Sequence, residues 1–238
     1  EPSIPQEGSS PVSSSDPGKP VATPKGSTIS PQPSAISPRT SKEQGRVAFV
    51  ITDAAASFNN ITSILLSIDE LAISSPSRGW ITVSKERKTY DLLALEQAAR
   101  QELISLIDLD PDTYTEIRLT IGNVNIITRD GAIASAKLPS GKIHFFTKLL
   151  VARKSNSGVI FDFLADQTLH QTGKGEYIFA PVLRVQTASS ISTIQILANQ
   201  VDFIGGRHDF DLTMGMDEKG ILRPDFRIHP QTILEIEN

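Results

Sequence analysis

The sequence predicts a mainly β fold, an antiparallel sandwich with one inserted helix, preceded by an extended arm and followed by a small C-terminal β group. Three observations lead there. From Gly45 onward, short runs alternate apolar and polar side chains, the period of a half-buried strand. Turn clusters such as Ser74-Ser75-Pro76-Ser77-Arg78-Gly79 and Asp130-Gly131 separate those runs. Before Gly45 nine of the fifteen prolines fall within forty residues, serine runs sit among them, and no aromatic residue precedes Phe49.

Residues 1–44 form the arm. So few apolar side chains cannot offset the entropy of ordering a chain, and alternating Pro and Ser/Thr favours extended, polyproline-like backbone. The sandwich is expected over 45–187. Arg46–Thr52 reads as its first strand, Ile61–Ile73 as the second, and Trp80–Val83 as a short third. Leu92–Ile107 reads as the helix, because Leu92, Leu95, Ala99, Leu103 and Leu106 recur at spacings of three and four, with Asp91 as its N-cap. Strands resume at Thr113–Ile121, Asn123–Thr128, Ile143–Ala152, Val159–Leu164 and Tyr177–Val185. Residues 188–238 hold further short β candidates. Without cysteine, so small a group is marginal alone and is expected to pack on the main domain or on a partner.

Charge and composition exclude several function classes. The net charge is −4 and the pI about 5.6, with no run of five or more basic residues. A general nucleic-acid binder needs a basic surface to displace counterions, so no nucleic-acid partner is expected. No apolar stretch is long enough to span a membrane. With no cysteine there is no disulfide, thiolate metal site or cysteine nucleophile.

The chemistry-bearing residues form no recognisable catalytic or cofactor pattern. His144, His170, His208 and His229 make no HExxH or HxH pair. His208 with Asp209 and Asp211 is the best cluster. Asp209-x-Asp211 does not continue as a calcium loop, because Thr213 and Met214 stand where a ligand and the glycine belong. No Gly-x-Ser-x-Gly elbow is present, and Gly173-Lys174-Gly175 is too short for a phosphate loop. No metal, cofactor or enzymatic activity is expected.

Between Gly45 and Thr187 a series of ordered motifs resembles domain-of-unknown-function family 4382. Thr52-Asp53-Ala54 is similar to its opening Thr-Asp-Ala-Pro, with Ala55 in place of the proline. Trp80-Ile81-Thr82-Val83 resembles its tryptophan strand and Tyr90-Asp91-Leu92-Leu93 its aromatic-Asp-Leu-Leu segment. Pro111-Asp112-Thr113-Tyr114-Thr115-Glu116-Ile117-Arg118-Leu119 follows its Pro-x-Gly-Thr-Tyr-x-x-Ile-Arg-Leu pattern, departing from it at Asp112. Pro139-Ser140-Gly141, Phe161-Asp162-Phe163 and Pro181-Val182-Leu183-Arg184-Val185 complete the series. The resemblance implies a transthyretin-like β-sandwich on exported proteins, and no activity.

Asp53, Trp80, Asp91, Tyr114, Arg118, Asp162 and Arg184 carry those motifs. Trp80 and Tyr114 are expected in the core, and the charged residues in ion pairs or backbone hydrogen bonds that fix strand register. The protein is expected to be extracellular or at the cell surface. Its leading role is that of a structural or adhesive subunit that meets copies of itself or other surface proteins through the arm or by strand addition. Ile4, Val12, Val21 and Ile29 are the arm's assembly contacts in that reading. The alternative is a module that binds a glycan or peptide from the end of a stalk.

Overall fold

A computed structural model describes residues 43–53, 58–198 and 200–228. The arm contacts Ile4, Val12, Val21 and Ile29 lie outside the described residues, as does His229. The chain runs through β1 (Gly45–Asp53), β2 (Ile61–Ser75), β3 (Gly79–Ser84), β4 (Lys88–Asp91), α1 (Leu92–Gln97), β5 (Glu102–Leu109), β6 (Asp112–Thr128), β7 (Ile133–Lys137) and β8 (Lys142–Val151). It continues through β9 (Asn156–Phe163), α2 (Ala165–Thr168), β10 (Leu169–Gln171), β11 (Tyr177–Phe179), β12 (Val182–Ile191), β13 (Thr193–Leu197), β14 (Gln200–Ile204), β15 (Arg207–Met216) and β16 (Leu222–Pro224).

Two sheets share one core. The first has the order β13-β14-β5-β1-β9-β12-β15-β16. The second is built on β6 and β2, with β3 and β4 along one side of β2, β8 and β7 along β6, and β11 and β10 beyond β7. Val47, Phe49 and Ile51 of β1 and Phe161 and Phe163 of β9 face Ile64, Leu66, Leu71 and Ile73 of β2 and Ile117 and Leu119 of β6 in a single buried cluster. Phe145 and Phe161 meet edge to face across it, their centroids 5.9 Å apart.

The fold is mainly β and sandwich-like, with two corrections to the expected detail. The sheets are mixed, not purely antiparallel: β1 lies parallel to β9, and β7 parallel to β11. Parallel neighbours need a long crossover, and the chain supplies one by leaving the first sheet to build most of the second before β9 returns beside β1. The expected helix over Leu92–Ile107 is also too long. α1 covers only Leu92–Gln97, and the rest becomes β5. Asp91 caps α1, accepting the Ala94 N–H at 3.4 Å and also that of Ile64 at 3.3 Å. Ala99 at φ 47° ends the turn, and Glu102–Leu109 then pairs antiparallel with β1. Leu103 and Leu106 satisfy a helical spacing, and the polar Glu102, Ser105 and Asp108 recur every three residues, but the ladder offered by β1 overrides that pattern, with a register shift between Ser105 and Leu103.

The strands after residue 187 join the first sheet. β15 pairs with β12 along its length, and Met214 and Met216 lie in the common core. At the far end of the same sheet, β13 and β14 form a hairpin. Its Phe203 covers the outer side of β9 at Gly158, where a Cβ would come 2.5 Å from the ring. A side chain at 158 would force the Phe203 ring to move.

Candidate functional site: a ring platform on the outer sheet face

Alternation along β3 decides where Trp80 points. Val83 is buried and Ile81 partly so, packed against the core, which sends Trp80 and Thr82 to the outer face. Trp80 is 41% exposed and is not the core residue that the sequence suggested. The same rule sorts β8: Ile143 and Phe145 face inward, His144 and Phe146 outward, and Phe146 is 67% exposed.

Register brings these outward residues into one patch. Ser74 pairs with Trp80 and with Glu116, and Glu116 pairs with Phe146; Ala72 pairs with Thr82 and with Arg118, and Arg118 pairs with His144. The Trp80 and His144 ring centroids are 5.4 Å apart, and those of His144 and Phe146 6.0 Å. Between the rings, on β2, stand the small residues Ala72 and Ser74, which leave room for the indole to lie low over the sheet.

Polar groups fix the rings in place. The Arg118 guanidinium carbon lies 4.0 Å from the Trp80 ring centroid, a cation–π contact worth roughly 0.5–1 kcal/mol at an exposed site. The His144 Nε2–H donates to the Glu116 carboxylate at 2.7 Å. The result is a run of three rings interleaved with one carboxylate, one guanidinium and the hydroxyl of Thr82. Trp80 and Arg118 were legible as motif residues. Glu116, His144 and Phe146 were missed as their partners, although the alternation of β8 was the signal.

The other motif residues are structural. Tyr114 is fully buried, and its hydroxyl donates to the Asp110 carbonyl at 3.0 Å. Asp112, where the motif departs from its usual order, accepts hydrogen bonds from Ser75 and Ser77 and pairs with Arg78 at 3.4 Å, clamping the β2–β3 turn. Asp162 and Arg184 stand opposite each other on β9 and β12 and line an open cleft of about 470 Å³. Arg184 binds Asp211 through both Nε and a terminal nitrogen, and Gln186 donates to the same carboxylate at 3.1 Å. Arg184 and Asp211 are both nearly half exposed, so water screens the pair and its worth is at most about 1 kcal/mol.

Asp53 is unlike these. It is only 7% exposed, its Oδ1 accepts the Ala165 N–H at 3.0 Å, and its Oδ2 is buried without a hydrogen-bond partner. Burial pushes its carboxyl up to about 8; the Ala165 hydrogen bond opposes this, and the nearby Asp162, Asp166 and Glu96 reinforce it.

The cluster at His208 is occupied by protein partners. Asp209 pairs with Arg207 at 2.8 Å and Asp211 with Arg184. Asp217 accepts the backbone N–H groups of Lys219 and Ile221 and so closes a turn. Among the described residues no three His, Asp or Glu side chains stand close enough together to hold a metal ion. No helix there is long and apolar enough to cross a membrane.

Residues 44–181 match the family model described as Domain of unknown function (DUF4382). Comparison with curated proteins and with solved structures gives no match.

Proposed function

Since the chain belongs to the DUF4382 family, we propose that it is a non-catalytic binding module whose outer sheet face holds a glycan. The carrying observation is the exposed run Trp80–His144–Phe146 on one outer sheet face, successive rings tilted by 64° and 45°. An exposed apolar patch rimmed by polar residues is the usual form of an interaction surface. A pyranose has an apolar face of C–H groups and a rim of hydroxyls. The platform offers the complement, with rings for the face and Glu116, Arg118 and Thr82 as acceptors and donors for the rim.

Of the two roles read from the sequence, the platform favours the glycan-binding one over assembly through the arm. A cell-surface setting accords with the exported character that the family motifs imply, and a Ser/Pro-rich arm suits a stalk. Partners are then surface or matrix polysaccharides rather than nucleic acid.

Trp80 is the chain's only tryptophan, so its emission reports on the platform directly. Titration with a panel of neutral and acidic polysaccharides is expected to shift that emission to shorter wavelength for at least one of them. Phe146→Ala is expected to weaken binding of that polysaccharide by about tenfold or more, equivalent to 1.4 kcal/mol, without lowering the melting temperature. No emission change with any polysaccharide, together with a clear change on adding extended peptides, would replace the glycan with a peptide ligand.

A further inference from the structure

We infer that the β13 edge is a self-association surface, on which a second copy of this chain adds its own β13 antiparallel about a twofold axis through Gln195. β13 ends the first sheet among the described residues. Its sequence, Thr193-Ile194-Gln195-Ile196-Leu197, contains none of the devices that blunt an edge strand: no lysine, no proline and no charge of either sign. The opposite edge of the same sheet, β16, contains Arg223 and Pro224, and proline has no N–H to give a new neighbour. On β13, by contrast, Ile196 is 37% and Leu197 61% exposed.

The strand is complementary to itself. Antiparallel pairing about Gln195 sets each Ile194 against the other copy's Ile196, each Thr193 against the other's Leu197, and the two Gln195 residues against each other. Each Ile–Ile pair falls on one face and the amide pair on the other, and no like charges meet. An isologous twofold interface requires that each residue meet its reciprocal partner, and this uncharged strand does so with its two Ile–Ile pairs on one face and no charge clash. The occupant is therefore a second copy and not an unrelated strand. The inference is independent of the glycan platform, which lies on the other sheet.

Sedimentation velocity and oxidative crosslinking of the full chain test it. Wild type is expected to show a concentration-dependent monomer–dimer equilibrium. Gln195→Lys sets two positive charges directly opposite each other and is expected to weaken the dimer by about tenfold or more, leaving the melting temperature of the monomer unchanged. Because the chain has no cysteine, Gln195→Cys should crosslink only to its own copy, across a pair close enough for a disulfide. Thr193→Cys alone should not crosslink. A wild type that stays monomeric at high micromolar concentration overturns the inference. So does a dimer that survives Gln195→Lys, crosslinks equally well from both cysteine positions, or disappears when residues 1–40 are removed.

Discussion

Leu119→Ala is expected to lower the unfolding free energy by about 2–5 kcal/mol, whereas Trp80→Ala should lower it by only about 1 kcal/mol. Leu119 is fully buried on β6 and packs in the core between the sheets. Removing its branched end takes apolar surface out of contact and leaves a void that a close-packed interior fills only in part. Trp80 is the larger side chain, but it lies on the outer face, and its loss gives up the Arg118 contact and partial burial without opening a cavity. Urea denaturation of both variants gives the comparison directly. Equal losses would place Trp80 in the core and remove the platform.

The contribution of Asp53 to stability should fall as pH rises from about 4 to about 8, against a lesser opposite contribution from His170, whose burial lowers its pKa, and Asp53→Asn should remove that fall. An aspartate in the unfolded chain releases its proton near pH 4, whereas the folded protein keeps it on Asp53 up to about pH 8. Between those values the folded state binds more protons than the unfolded state, so each step upward in pH favours unfolding. The interval sets an upper limit of about 5 kcal/mol, which water entry and relaxation around Oδ2 reduce to roughly 1–3 kcal/mol. Asparagine keeps an acceptor oxygen for the Ala165 N–H and carries no titrating proton. Thermal melts at pH 5 and pH 8.5 should therefore separate for the wild type and nearly coincide for the variant. Parallel profiles for the two proteins would show that Asp53 does not control the slope.

Alternation made most of the strands legible in the sequence, because one buried face imposes a period of two on each of them. Partner choice was not legible. Nothing local in Arg46–Thr52 states that its neighbours are β5 on one side and, in parallel, β9 on the other. The helix at Leu92 was overextended because Leu103 and Leu106 keep the helical spacing, and only the tertiary ladder with β1, register shift included, overrides it. Trp80 was misplaced for a different reason. Its bulk suggested the core, although Ile81 and Val83 had already claimed the inner face of a two-sided strand. Asp53 drew notice only as a motif residue, since its chemistry comes from burial, which no spacing reveals.

The parallel pairing of β1 with β9 also governs how the chain must reach this structure. Arg46 meets Asn156 and Asp53 meets Phe163, so the central pair of the first sheet closes only after the intervening strands exist. Contacts so distant along the chain make closure entropy the dominant barrier, and sheets of this kind fold on the order of milliseconds to seconds rather than microseconds. Until then β1 has an open hydrogen-bonding edge along an almost wholly apolar strand, Val47-Ala48-Phe49-Val50-Ile51. That stretch is where a nascent copy is most exposed to mispairing, and where a chaperone that captures extended apolar segments would act first.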